Sequence, residues 1–516
     1  MRAGTLIVGI AAAALLSAGC TAADEQPNAE PSGDGKAAAG STTLRTAYQA
    51  DIATFDPDNG FEVAGLGAIR AVYEGLVDYE PGTTDVVGRL ASSWTVSPDA
   101  TTYTFVLREG VTFHSGEAMT SADVKASFDR RATPDLILSY FLANVASTET
   151  PDDKTFVVTL KSPQPSFLDN LASAWGPKIL GPEALTENAG DDGSKGWLNE
   201  HADGTGPFRL ASFSRGQEYV LERFEAYWGA APGFQKVSIK IVPDIGQQVL
   251  QLRNGDLDAV LHGYPFTQLA KLPDGLAIES YNDLGLEMAF VNTTRTLTTV
   301  EQRRRVAAAL APTGWVQDAF GEFAAPAQAL YPKAMLTPET PYAYPTQADS
   351  SNAVPALQIA YAAEEASVQQ RVADLLIAQL GEAGIEATAR ALPGSDVSGF
   401  IKNLGKAPDI WLAQNNPDSA HPDSQASLFY ATGAPLNIFG YSNPKADGLF
   451  AEGASATDPA KRDRLYTDGG RLVFEDGAFL PLADVADAIV YREGLSDFGT
   501  RPAIPWTLDF GTVRRG

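Results

Sequence analysis

Residues 90–131 read LASSWTVSPDATTYTFVLREGVTFHSGEAMTSADVKASFDRR, and the rest of the chain is interpreted outward from them. A short strand over 93–96 runs into Ser97-Pro98-Asp99-Ala100. Proline suits the second position of a type I turn, and aspartate tolerates the bridge and left-handed regions beside it. Residues 103–107 (YTFVL) alternate large apolar with smaller side chains at the two-residue period of a strand. Arg108-Glu109-Gly110 turns the chain into a second short strand, Val111-Thr112-Phe113, which His114-Ser115-Gly116-Glu117 ends. Thr120 or Ser121 then caps a helix with Asp123 in its first turn and Val124 and Phe128 on one face. The unit reads as a hairpin leading into a helix.

In order and in register, these residues resemble the signature of the bacterial extracellular solute-binding proteins of the oligopeptide/dipeptide/nickel type, family 5. That signature has a strand carrying tryptophan (Trp94), a Ser-x-Asp-Gly turn, YTF-x-LR-x-GV-x-F (Tyr103 to Phe113) and T-x-x-D-V (Thr120 to Val124). Ala100 stands where the family commonly has glycine. Further matches are Tyr73-Glu74-Gly75-Leu76, Gly204-Thr205-Gly206-Pro207-Phe208, Tyr227-Trp228-Gly229 and Ser442-Asn443-Pro444. The resemblance implies an α/β, two-lobed periplasmic-binding-protein (Venus flytrap) fold of the class with an extra subdomain in lobe I. The expected organisation is a lipoprotein signal peptide over 1–19, then a lipidated cysteine and flexible tether over 20–43. Lobe I follows as 44–283 with 484–516, its inserted subdomain at about 80–200, and lobe II is 284–483.

Composition narrows the function independently. A chain of 516 residues holds two or three domains, each with its own core. The net charge of −26, from 64 acidic against 38 basic residues, argues against nucleic acid or an anionic membrane surface as partner, because both select basic footprints. The single cysteine excludes an intramolecular disulfide and a cysteine metal cluster. Its place is informative: Arg2 precedes an apolar run over 6–16, too short to span a bilayer, and Ser17-Ala18-Gly19-Cys20 follows. Small residues before the only cysteine resemble a lipobox, which implies a diacylglyceride on Cys20. Residues 21–43, rich in Ala, Pro, Gly, Ser and acids, form no core and read as a coil reaching on the order of 25 Å.

The four histidines (His114, His201, His262, His421) make no His-Glu-x-x-His or close metal pair, and the sequence has neither a Gly-x-Ser-x-Gly elbow nor a Walker loop. A binding protein without cofactor, rather than an enzyme, is expected. Periodicity is clearest in the second lobe. A strand at 357–361, a helix over 364–380 with Val368, Val372, Leu375 and Leu376 on one face, and a strand at 385–389 form a βαβ unit with parallel strands. A further strand, 409–413, enters Gln414-Asn415-Asn416-Pro417-Asp418-Ser419-Ala420-His421-Pro422-Asp423. Open α/β sheets bind ligands beyond the carboxyl ends of their strands. That rule nominates Trp411, Gln414, Asn415, Asn416, Asp418, His421 and Asp423, with Tyr361 behind them.

The resemblance nominates the same loop, where peptide-binding relatives often carry an aspartate for the ligand's α-amino group. Either Asp418 or Asp423 could hold that place. By the same resemblance Phe61 and Glu62 border the cleft. Trp175, in Trp175-Gly176-Pro177 after the signature unit, is a further candidate for the cleft mouth. The implied function is a membrane-anchored component of an ABC importer, binding short peptides between its lobes. Its implied partners are the solute and permease subunits with a separate ATPase, with the membrane met only through the lipid and the protein a monomer. A nickel or other metal chelate, or another small polar solute, is the alternative ligand.

Overall fold

The computed structural model describes residues 42–345 and 353–516. The expected signal peptide, Cys20 and all but the last two residues of the tether lie outside the described residues. The quoted stretch forms strands Ala91–Val96 and Thr102–Leu107 and the helix Ser121–Arg131. Alternation works as expected: Tyr103, Phe105 and Leu107 are buried while Val106 faces out. Asp123 caps the helix by accepting from the Thr120 backbone N–H and hydroxyl, each at 2.8 Å. Val124 and Phe128 face inward, and the Phe128 ring meets Phe156 edge-on at 4.9 Å. Fully burying such a ring stabilises by about 1.5–3 kcal/mol.

Two details differ from the expectation. Residues 111–113 make only an isolated bridge, Thr112 with Ala118, because the chain doubles back within a few residues of Gly110. Ala100 adopts φ 52°, a left-handed conformation that suits the glycine of the family signature and strains an L side chain.

These strands join Val145–Asp152 and Thr155–Leu160 in a four-stranded antiparallel sheet with its own core. A second four-stranded sheet has the order Thr43–Tyr48, Lys236–Ile241, Glu218–Arg223, Phe208–Ser214, its first pair parallel. Beside it lies a three-stranded sheet of Ala259–Val260, Asp487–Arg492 and Leu276–Tyr281.

Three of the separated sequence motifs meet at one buried carboxylate between these bodies. Glu74, 4% exposed, accepts from the Thr205 hydroxyl (2.8 Å), the Tyr227 hydroxyl (2.9 Å) and Trp228 Nε1 (2.8 Å), and pairs with Arg89 at 2.6 Å. Gly204 and Gly206 allow the closeness: a Cβ at either would fall within 2.4 Å of a carbonyl oxygen of Val72 or Ala71. The motifs are therefore structural, and a charged acceptor surrounded by donors explains their spacing.

The other lobe is a six-stranded sheet ordered Ala324–Pro326, Phe479–Val485, Leu286–Val291, Ile410–Asn415, Leu357–Ala362, Ala387–Leu392. Leu357–Ala362 is parallel to both its neighbours, as the βαβ reading requires. The intervening helix is Ala366–Glu382, with Val372 and Leu376 fully buried, and the following strand starts two residues later than periodicity suggests. On the helix Val300–Leu310 of this lobe Arg303 turns inward. Its guanidinium donates to the carbonyls of Asp476 (2.5 Å) and Leu297 (3.0 Å), which carry partial charge to meet its own.

The chain passes between lobes at residues 282–285 and again at Ala486. The two crossings lie side by side, with the Val485 N–H donating to the Gly285 carbonyl at 3.3 Å. Two-lobed proteins place their hinges at short connections of this kind, where a few residues can absorb a rotation.

Candidate ligand-binding site

A cavity of about 530 Å³ lies at these crossings. One side comes from Ala47–Ala50, at the end of the first strand, and from 261–264, after Ala259–Val260. The opposite side is the start of the long helix, Glu364, Glu365, Val368 and Gln369, with Gln414 at the end of its strand. Val485–Ala488 form the base, and Trp506 and Thr507 close it from the C-terminal segment. Of the loop nominated by the carboxyl-end rule, Gln414 is the residue that lines this cavity.

The wall is polar at defined points. His262 and Trp506 stack with centroids 4.1 Å apart and planes 16° from parallel. His262 Nδ1 lies 3.1 Å from Asp487 Oδ1, and Tyr281 donates to Asp487 Oδ2 at 2.9 Å. Trp506 sits at φ 58°, where a bulky side chain is seldom found, so the packing around it holds the indole at the wall. Gly285 lets the Gln414 carboxamide approach: a Cβ there would stand 2.0 Å from Gln414 Nε2. Behind the wall Gln369 Nε2 donates to Glu287 Oε2 at 3.0 Å, and burial pushes the Glu287 acid up to about 8. Burial also raises the acids of Glu365 and Asp283, the latter further by Asp487 nearby.

The nominated loop divides into two parts. Gln414 and, from the other lobe, Glu62 line the cavity. Asn415 points into the lobe core, donating to Gln425 Oε1 at 2.8 Å, and Asn416 Oδ1 is buried with no partner among the described residues. Asp418 clasps the opposite lobe: its carboxylate accepts from the Tyr140 hydroxyl, and its carbonyl from the Ser173 hydroxyl at 2.5 Å. The Ala420 N–H donates to Tyr79 Oη at 3.0 Å. Burial raises the Asp418 acid to about 6, with the Tyr140 bond working against that rise.

His421 caps the short helix Pro422–Gln425, its Nδ1 accepting from the Asp423 N–H at 3.1 Å, and burial lowers it to about 3, so it is neutral. Asp423 accepts from the Tyr466 hydroxyl at 2.8 Å. Residues 418–423 therefore lie in an interlobe clasp and a helix cap rather than in the cavity lining.

The aromatic nominees are placed by packing. Trp411 lies in the core against Phe400, ring centroids 5.4 Å apart, and Tyr361 is buried in the same core. Trp175 is buried with Leu66, Leu138 and Phe141; its Nε1 donates to the Phe61 carbonyl at 2.9 Å, and the exposed Phe61 ring covers it. Large apolar rings enter cores because burial favours them, whatever their distance from the cleft. Sequence reasoning missed the first-strand end, His262, the 364–369 helix start and Trp506. The strand-end rule applied to 43–48 as well as to 410–415 would have found the first of these.

Two α/β lobes joined by paired crossings, with a cavity between them, define a periplasmic-type solute-binding protein. The chain belongs to the family described as bacterial extracellular solute-binding proteins, family 5, whose middle region matches residues 85–436. It is 27% identical over 486 residues to the probable D,D-dipeptide-binding periplasmic protein DdpA of Escherichia coli (strain K12), spanning 90% of this chain and 93% of that protein. Among solved structures it resembles the ABC transporter-associated periplasmic binding protein DppA from Helicobacter pylori in complex with peptide STSA. The TM-score is 0.77 at 22% identity, covering 92% of this chain and 98% of that one. It also resembles NikA from Brucella suis in complex with Fe(III)-EDTA, with a TM-score of 0.79 at 20% identity, covering 92% and 100%. At these identities the structural likeness is one of fold. Family membership places the protein among extracytoplasmic binding components, and no helix among the described residues is long and apolar enough to cross a membrane.

Proposed function

We propose that this protein captures short peptides in the interlobe cavity and delivers them to an ABC permease driven by a separate ATPase. The observation that carries the reading is the cavity itself, about 530 Å³ and walled by both lobes at their hinge. A volume in this range encloses a small organic solute. A solute touching both walls stabilises the closed form, and only that differential affinity shifts the equilibrium between open and closed. Gln414 and Glu62 are assigned to the ligand wall. Asp418 is assigned to the clasp that forms on closure, and His421 and Asp423 to the helix cap beside it, with lobe I taken as 44–283 and 484–516 and lobe II as 284–483.

The likeness to NikA, solved with an iron chelate, and the presence of His262 in the wall favour a metal chelate as the second reading. Thermal-shift titration of the purified protein against di- to pentapeptide pools and nickel–histidine separates the two. Saturable stabilisation by peptides alone supports the first, by the chelate alone the second, and silence with both refutes both.

Anchoring through a lipid on Cys20, with the folded body a monomer at the outer face of the membrane, completes the proposal. Cys20→Ser should abolish incorporation of labelled fatty acid and release the protein into the soluble fraction. Retention of both label and membrane association would refute the anchor.

A further inference from the structure

The solute-binding reading, on which this inference rests, leaves the charge of the solute open. The carboxylates of Glu62, Glu364, Glu365 and Asp487 line the cavity, and its wall contains no lysine or arginine among the described residues. His262 is the one basic ring there, and Asp487 already faces it. An acidic cluster on an open surface is commonly no more than a solvated face. Here the acids surround a cavity whose wall also holds unspent hydrogen-bonding groups. Gln369, 2% exposed, keeps its Oε1 without a partner, and the buried Tyr264 hydroxyl is likewise unpartnered among the described residues.

Buried polar atoms are ordinarily paired, so an orphan acceptor beside a ligand cavity points to a donor brought by the ligand. The His262–Trp506 stack adds an aromatic wall. Burial already disfavours the charge on Glu365, and a cation beside it would restore the ionised form. A free carboxylate in the same space would stand among four carboxyl groups with no lysine or arginine to pair with.

We propose that the solute is a cation, namely a short peptide carrying lysine or arginine side chains, with its C-terminal carboxylate held away from the four-carboxylate wall. Ammonium or guanidinium groups would pair with Glu62, Glu364 and Glu365 and donate to Gln369 Oε1. Desolvated pairs of this kind are strongly coupled, whereas like charges brought together exclude the wrong partner.

Calorimetry with four tripeptide probes tests this: Lys-Ala-Lys-amide, free Lys-Ala-Lys, Ala-Ala-Ala-amide and Glu-Ala-Glu. The amidated basic peptide should bind about 100-fold more tightly than the alanine peptide, its free acid should bind more weakly than the amide, and the acidic peptide should show no heat. Glu62→Gln and Glu365→Gln should each weaken the basic peptide about 10-fold while leaving the thermal midpoint in place. Glu62 is an exposed loop residue, so its replacement leaves the core untouched.

Equal affinity for the alanine and basic peptides would overturn the cationic inference while leaving the peptide reading intact. Binding of 1,5-diaminopentane with no peptide bound would keep the cation and overturn the peptide. No binding by any probe would overturn both.

Discussion

Replacing Glu74 by glutamine should destabilise the fold far more than its single-atom change suggests. The carboxylate is buried, accepts three side-chain hydrogen bonds at 2.8–2.9 Å and pairs with Arg89 at 2.6 Å. Glutamine keeps the volume but replaces one acceptor oxygen with a donor and leaves Arg89 without its counter-charge. Burial opposes the Arg89 charge, and Glu74 is the foremost group offsetting that penalty. Breaking a buried pair by removing one partner costs about 3–5 kcal/mol. At about 2 °C per kcal/mol for a large domain, the thermal midpoint should fall by about 6–10 °C.

Differential scanning calorimetry, with urea unfolding to test cooperativity, would measure this. Trp228→Phe, which removes one hydrogen bond to the charge, should cost about 1.5–3 kcal/mol. Arg89→Met combined with Glu74→Gln should cost less than the sum of the two single changes, because each single variant leaves the other charged or donor group unsatisfied. If Glu74→Gln were within about 1 kcal/mol of the parent, well below the buried-pair range, the claim that three sequence motifs converge to satisfy this carboxylate would be wrong.

Four further variants test the same structure. Ala100→Gly should raise stability by about 0.5–1 kcal/mol in urea titration, since φ 52° strains alanine and not glycine; a loss would refute the strain. Glu287→Gln should match the wild type near pH 4.5 and exceed it by about 3 kcal/mol at pH 7. The folded acid lies at about 8 against an ordinary 4.5, so wild-type stability declines as pH rises from 4.5 to 8, and glutamine has no proton to lose. Urea unfolding at the two pH values decides it, and a pH-independent difference would refute it.

Tyr140→Phe should weaken binding of the tightest probe peptide about 10- to 100-fold at pH 7, because a hydroxyl bond to a buried carboxylate contributes about 1.5–3 kcal/mol. Burial of Asp418 against the opposite lobe raises its acid to about 6 from an ordinary 3.8, so this arrangement is least penalised below pH 4 and loses stability as pH rises towards 6. Asp418→Asn should flatten that component of the affinity between pH 4.5 and 7, as calorimetry would show; an unchanged pH profile would refute the linkage.

Local patterns in the chain were sufficient for most element types, for the signature unit apart from its 111–113 strand, for the parallel βαβ of the second lobe and for the family. Periods of two and 3.6 residues, caps such as Thr120 with Asp123, and turn residues act over a few positions and are written in the sequence. The strand-end rule reached one edge of the site, at Gln414. The rest of the site needed the tertiary structure, because its walls come from segments more than 450 residues apart, Ala47 to Thr507, brought together by two sheets and two crossings. No local pattern distinguishes Trp411 in a core from Trp506 on a cavity wall, since each is a large ring whose neighbours are set by distant chain. The bond between Asp418 and Tyr140, which come from different lobes, is likewise beyond any local pattern.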